Sequence, residues 1–108
     1  MAFTKRAAGT GTYKWPTSIK TPIDGGLYEE EAFTLVFRRH KAGKAASYAG
    51  DKEFLRDTIV GWEDYNDENG KPISFSLKEL DELLQDEFFV IGASDAWTAS
   101  LRGAREKN

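Results

Sequence analysis

Chemistry in this chain would have to come from one histidine, an acid-rich run and a glycine-flanked basic segment near the start. His40 stands among Arg38, Arg39 and Lys41, where like charges disfavour its protonation. A Ser-His-Asp site would need an activating turn around a serine, and no Gly-x-Ser-x-Gly is present. His40 therefore reads as a surface residue at a strand end with no ligand or proton-transfer role. With one histidine and no cysteine, the chain has no His or Cys cluster for a metal, no thiolate nucleophile and no disulfide framework. The run Asp64, Asn66, Asp67, Glu68, Asn69, Gly70 suggests calcium. With Gly70 at the sixth position of a calcium loop, Tyr65 and Ser76 fall at the first and twelfth, where carboxylates are required, so the motif fails. Gly9-Thr10-Gly11 with Lys14 lacks both a preceding strand and the Gly-Lys-Ser/Thr ending of a phosphate loop. No enzyme and no cofactor are expected.

Basic and aromatic residues interleave through Tyr13, Lys14, Trp15, Lys20, Phe37, Arg38 and Arg39, a mixture on which single-stranded nucleic acid could stack. Strand alternation sends Phe37 and Arg38 to opposite faces, which puts the aromatics in the core and the cations in water. The net charge of -3 also lacks the positive excess of a dedicated nucleic-acid binder. Charge is nevertheless uneven. Lys5, Arg6, Lys14 and Lys20 precede the first acid, Asp24; Arg38, Arg39, Lys41 and Lys44 form a second basic cluster, and acids gather between Asp51 and Glu87.

These side chains must be positioned by a single core, which is what 108 residues can build. Seven Phe, four Tyr and three Trp supply large buried areas for it. No apolar run approaches the roughly 20 residues of a membrane span, and no apolar secretory segment opens the chain, so a soluble, unexported protein is expected. The reading is an α+β fold: an N-terminal β-hairpin or small antiparallel sheet followed by about three packed helices. Residues 1–11 read as a flexible basic arm, 12–103 as one domain and 104–108 as a frayed tail. Thr12 to Ile23, bracketed by Pro16 and Pro22, is limited to a sheet edge. Asp24-Gly25-Gly26 turns it into a second strand over Leu27 to His40, with Phe33, Leu35 and Phe37 on one face. Lys41 to Gly50 fits either a linker or a weak helix start.

Further on, Asp51 is placed as the N-cap of a helix ending near Gly61, because Phe54, Leu55, Thr58, Ile59 and Trp62 recur at helical spacing. Asn69-Gly70 predicts a tight turn, followed by a short edge strand over Pro72 to Phe75. Ser76-x-x-Glu79 is a capping box with Phe75 and Leu80 as a hydrophobic staple, so a helix begins at Leu77 and buries Leu77, Leu80, Leu83 and Leu84. Gln85-Asp86-Glu87 breaks it. A last helix then carries Phe88, Phe89, Val90, Ile91, Ala93, Ala96, Trp97 and Leu101, with Gly92 weakening it by about 1 kcal/mol.

Two blocks, TPIDGGLYEEEAFTLVFRRH and VGWEDYNDENGKPISFSLKELDELL with the helical end that follows, resemble the tail assembly chaperones of long-tailed bacteriophages and prophages. The shared pattern is a Pro-x-Asp-Gly-Gly turn, an acidic strand start, a Phe-x-x-x-Phe-Arg-Arg exit, then a Gly-Trp, an acid-rich turn and a Phe-Ser step into a helix. The resemblance implies a non-enzymatic protein of the host cytoplasm that holds the helical tape-measure protein soluble while tail-tube protein is recruited, and that is absent from the mature virion. It implies neither nucleic-acid nor membrane binding, and leaves a homo-oligomer open. An adaptable apolar groove is the physical requirement, for which Trp62, Leu84, Phe88, Phe89, Ile91 and Trp97 are the candidate partner-binding residues. Phe88 and Phe89 point about 100° apart on a helix, so one of them is expected at the surface. A structural tail protein, at a tube end or connector, and a small prophage regulatory binder are the alternatives.

Overall fold

The computed structural model describes the backbone of residues 2–106 and the side chains of residues 2–102. Strands β1 (Thr12–Ile23) and β2 (Leu27–Arg38) form the expected long hairpin, paired without interruption from Thr12↔Arg38 to Ile23↔Leu27. Gly25 and Gly26 both take positive φ at its tip, at 85° and 75°, which is the conformation that Asp-Gly-Gly supplies at little steric cost. The second strand stops at Arg38, two residues short of His40. A 3₁₀ turn over Lys44–Ser47 then occupies the segment that fitted either linker or helix.

Helix α1 (Asp51–Thr58) is shorter than expected, and its cap is the backbone of Gly50 rather than the side chain of Asp51. The residues assigned to its last turn instead form β3 (Ile59–Glu63), which completes an antiparallel sheet of order β1-β2-β3. Ile59, Val60 and Trp62 are β-branched or aromatic, and the pairing with β2 satisfies them better than a helical turn containing Gly61 would. Register explains the misleading period. Val36 pairs with Gly61 and Phe37 with Ile59, so Val60 is an extra residue, a bulge that keeps Ile59 in the core. At Gly61 a Cβ would sit 3.3 Å from Val36 Cγ2, tight for any larger residue.

The acid-rich segment folds back on itself. Asp67 Oδ1 accepts from the Asn69 and Lys71 amides at 2.9 and 3.0 Å, and Gly70 takes a φ of 81°. The strand expected over Pro72 to Phe75 is reduced to one bridge, Asn66↔Pro72, because the Ile73 carbonyl turns aside to accept from Trp62 Nε1 at 2.8 Å. Helix α2 (Leu77–Leu83) starts where the capping box placed it, the Ser76 hydroxyl accepting from the Glu79 amide at 3.1 Å. Leu80 and Leu84 are buried and Leu83 is half-buried, but Leu77 is exposed: as the first residue of the helix it lies beyond the strip that meets the core.

Helix α3 (Glu87–Glu106) follows a two-residue turn and is capped by Asp86, whose Oδ1 accepts from the Phe88 amide at 2.9 Å. Its backbone continues through Gly103 to Glu106, past the expected start of a frayed tail; Lys107 and Asn108 lie outside the described residues. Helices cover one face of the sheet, closing over Leu35, Phe37, Leu55, Ile59, Leu80 and Phe89. Each such side chain contributes roughly 1.5–3 kcal/mol by leaving water. The opposite face is open, and Lys14 reaches across it from β1 to Glu63 of β3 at 2.5 Å.

Contact between α3 and β1 is unusually close at one point. A Cβ built on Gly92 would lie 2.6 Å from Ile19 Cδ1 and 2.9 Å from the Ser18 carbonyl oxygen. Eight residues on, Ser100 Oγ donates to the Trp97 carbonyl at 2.6 Å, so its 2.7 Å contact with Tyr13 is made by the tyrosine hydroxyl donating. Helix propensity alone would make Gly92→Ala stabilising by about 1 kcal/mol. The Ser18 oxygen belongs to the backbone and cannot swing aside, and overpacking of this kind costs about 1–3 kcal/mol. Gly92→Ala should therefore lower stability in a denaturant melt; a variant that melts later would mean the helix stands further from the strand.

Candidate partner-binding surface

The period of α3 sorts its apolar residues. Phe89, Ala93 and Ala96 face the sheet, with Phe89 only 2% exposed. Phe88 and Ile91, one turn apart on another side, are 37% and 50% exposed. Of the two adjacent phenylalanines, Phe88 is the surface residue.

Phe88 and Ile91 do not stand alone. With Trp15 and Pro16 of β1 they line a shallow groove of about 360 Å³ whose floor includes Gly92 and Ala96. Lys20 and Asp95 also border it, one charge of each sign. Trp15 and Pro16 were not among the residues expected at a binding surface. Alternation along β1 shows which way Trp15 points, but only the seating of α3 brings it beside Phe88.

The edge of β1 is itself unsuited to adding a strand. The Arg39 amide donates to the Gly11 carbonyl at 3.0 Å, which makes the odd-numbered residues of β1 the hydrogen-bonded pairs and turns the backbone groups of the even-numbered residues outward. Pro16 and Pro22 are both even-numbered, so two of the outward positions have no N–H to offer. An occupant of this groove gains more from side-chain contact than from backbone pairing.

The other four candidate residues lie elsewhere. Leu84 is buried beside Leu80, which removes it, with Phe89, from any surface of the folded domain. Trp62 packs edge-on against Phe75 and Tyr65, with centroids 4.8 and 5.1 Å away, and spends its N–H on Ile73; it anchors the acid-rich loop. Trp97 is half-buried and stacks edge-on against Phe54 at 4.7 Å. These side chains hold the fold and do not form one surface with Phe88.

His40 is not the surface residue that its position at the end of a basic strand suggested. It is half-buried, with Nε2 2.8 Å from the Thr58 hydroxyl and its ring against Tyr48 and Phe54. Thr58 donates its own proton to the Phe54 carbonyl at 2.6 Å, so the imidazole N–H is the donor to Thr58. Burial lowers the His40 pKa, with help from the charges of Arg38 and Lys44 and against the pull of Asp57. Beside it Tyr48 donates to Asp57, which pushes the phenol up to about 12 and holds the carboxyl below its usual range. The cluster ties the 3₁₀ turn to α1.

Among the described residues, no three His, Asp or Glu side chains gather where they could hold a metal ion. No protein-family model, curated protein or solved structure matches the chain. The unfolded chain takes up a proton at histidine near pH 6.5, whereas the folded chain resists it. The contribution of neutral His40 is therefore whole above about pH 6.5 and is lost as pH falls toward the lower folded value. Stability should decline as pH falls below about 6.5, and His40→Gln should flatten that decline in melts across a pH series. A decline of equal slope in the variant would assign it to another group.

Proposed function

We propose that this chain is a tail assembly chaperone of a long-tailed bacteriophage or prophage, a non-enzymatic helper in the host cytoplasm that holds the tape-measure protein soluble while tail-tube protein is recruited. Two features support this reading: the resemblance of its hairpin and Gly-Trp blocks to that family, and an exposed apolar pair set in a groove. The observation that carries it is Phe88 and Ile91 standing outward on α3 beside Trp15, at a strand edge interrupted by Pro16 and Pro22. Such a site suits the apolar face of a helix, which offers side chains at every third or fourth residue and needs no strand pairing. A tape-measure protein is a long run of such faces.

A structural tail component is the second reading, favoured by the exposed Leu27 and Tyr28 at the hairpin tip. It would remain in purified particles, whereas a chaperone would be absent from them.

Co-expression with the tape-measure protein tests the proposal. Phe88→Ser should cost far less stability than Phe89→Ser and abolish client solubilisation, because desolvated aromatics dominate interfaces of this kind. Phe89→Ser should instead destabilise the domain by on the order of 3–5 kcal/mol, as removal of a core phenylalanine does. Retention of a soluble client by a folded Phe88→Ser variant would move the binding surface away from α3.

A further inference from the structure

The two ends of the β1–β2 hairpin carry opposite charge. At its open end, the N-terminal arm, the exit of β2 and the last turns of α3 enclose a cleft of about 820 Å³, walled by Arg6, Lys14, Arg38, Arg39 and Lys41, with no acidic residue among its described lining. Lys14 is paired with Glu63, and Arg38 donates Nε to the Asp57 carbonyl at 3.0 Å. The Arg39 guanidinium lies 5.5 Å over the Tyr13 ring. The remaining wall is apolar, through Trp15, Trp97 and the exposed Leu101.

At the other end Glu29, Glu30 and Glu31 are all exposed next to the Asp24 turn, with Lys20 the nearest cation on the paired strand. Glu30 accepts from Ser18 at 2.7 Å. Leu27 and Tyr28, 61% and 67% exposed, stand beside these acids, and β3 does not reach them, since its pairing with β2 begins at Thr34. The tip is thus acidic, apolar and projecting. Along β2 the tip residues lie seven (Glu31) to eleven (Leu27) positions from Arg38 at the cleft, roughly 23–36 Å of rigid strand, so the two cannot meet within one molecule.

We propose that the chain associates with itself head to tail, the acidic, apolar hairpin tip of one copy entering the basic, aromatic cleft of the next. Carboxylates of the tip would meet the cleft cations, and Leu27 and Tyr28 would cover its apolar wall. Different surfaces meet in such a contact, so it repeats into an open chain or a ring instead of stopping at a symmetric dimer. Single-stranded nucleic acid is the other polyanion that could enter the cleft, but the net charge of -3 disfavours its approach. This proposal does not rest on the client reading, although Trp15 borders both the groove and the cleft.

Sedimentation velocity over a concentration series tests it. At about 0.05 M salt the mean mass should rise with concentration, and at about 0.5 M, where the charges are screened, it should fall to that of one chain. A tip variant, Glu29→Lys with Glu31→Lys, and a cleft variant, Arg6→Glu with Lys41→Glu, should each melt like the parent and associate at least tenfold more weakly. Mixed in equal amounts they should associate again, because each variant supplies the intact end that the other lacks and the two reversed ends are themselves complementary in charge. If a double reversal fails to fold, Glu29→Lys and Lys41→Glu alone should show the same pairing at higher concentration. Phe88→Ser should associate like the parent. A parent that stays monomeric at low salt, a mixture that stays monomeric, or a cleft that binds oligothymidylate in place of another copy would each overturn the proposal.

Discussion

The close seating of α3 on β1 at Gly92 is the constraint on which the rest of the molecule depends. Without a side chain there, the helix backbone approaches the Ser18 carbonyl and the Ile19 side chain closely enough to bury Phe89, Ala93 and Ala96 against the sheet. Rotation of the helix is then determined. A turn of about 100° would bury Phe88 in place of Phe89 and push Ile91, far larger than glycine, against the strand backbone. The surface position of Phe88 and Ile91 is therefore a consequence of how the core closes, and so is their proximity to Trp15.

Local signals in the chain are reliable where the physics is local. Asp24-Gly25-Gly26, Asn69-Gly70 and Ser76-x-x-Glu79 each specify a backbone conformation through their own side chains or lack of them, and each forms where expected. Ile59 to Glu63 was not legible in this way. Phe54, Leu55, Thr58, Ile59 and Trp62 satisfy a helical period, and only the availability of β2, more than twenty residues earlier, with a bulge at Val60, converts the last of them into a strand. Gly92 was legible as a weak point in a helix, but its purpose lies in a strand some seventy residues away. Phe88 and Phe89 were recognisable as a divided pair, although their individual fates depend on that same distant contact.

Function follows a similar division. Excluding a calcium loop, a phosphate loop and a hydrolase triad needs only spacing, since each of those chemistries demands particular residues at particular intervals. Recognition surfaces have no such spacing. The groove draws Trp15 and Pro16 from β1 and Phe88 and Ile91 from α3, and the basic cleft draws on four separate segments. The basic clusters before and after the hairpin were visible in the sequence, but charge acquires direction only once the strands place those cations at one end and Glu29 to Glu31 toward the other. One scaffold thus presents an apolar groove on its flank and complementary charges at its ends, with Trp15 bordering both the groove and the basic cleft.

Hydroxyl-radical footprinting of the two adjacent phenylalanines, with and without the tape-measure protein, tests the central claim most directly. In the free protein Phe88 should be oxidised and Phe89 protected, as their exposures of 37% and 2% require. In the complex Phe88 should become protected and Phe89 remain so. Oxidation of Phe89 in the free protein would contradict the seating of α3, and unchanged oxidation of Phe88 in the complex would contradict the groove as the client site.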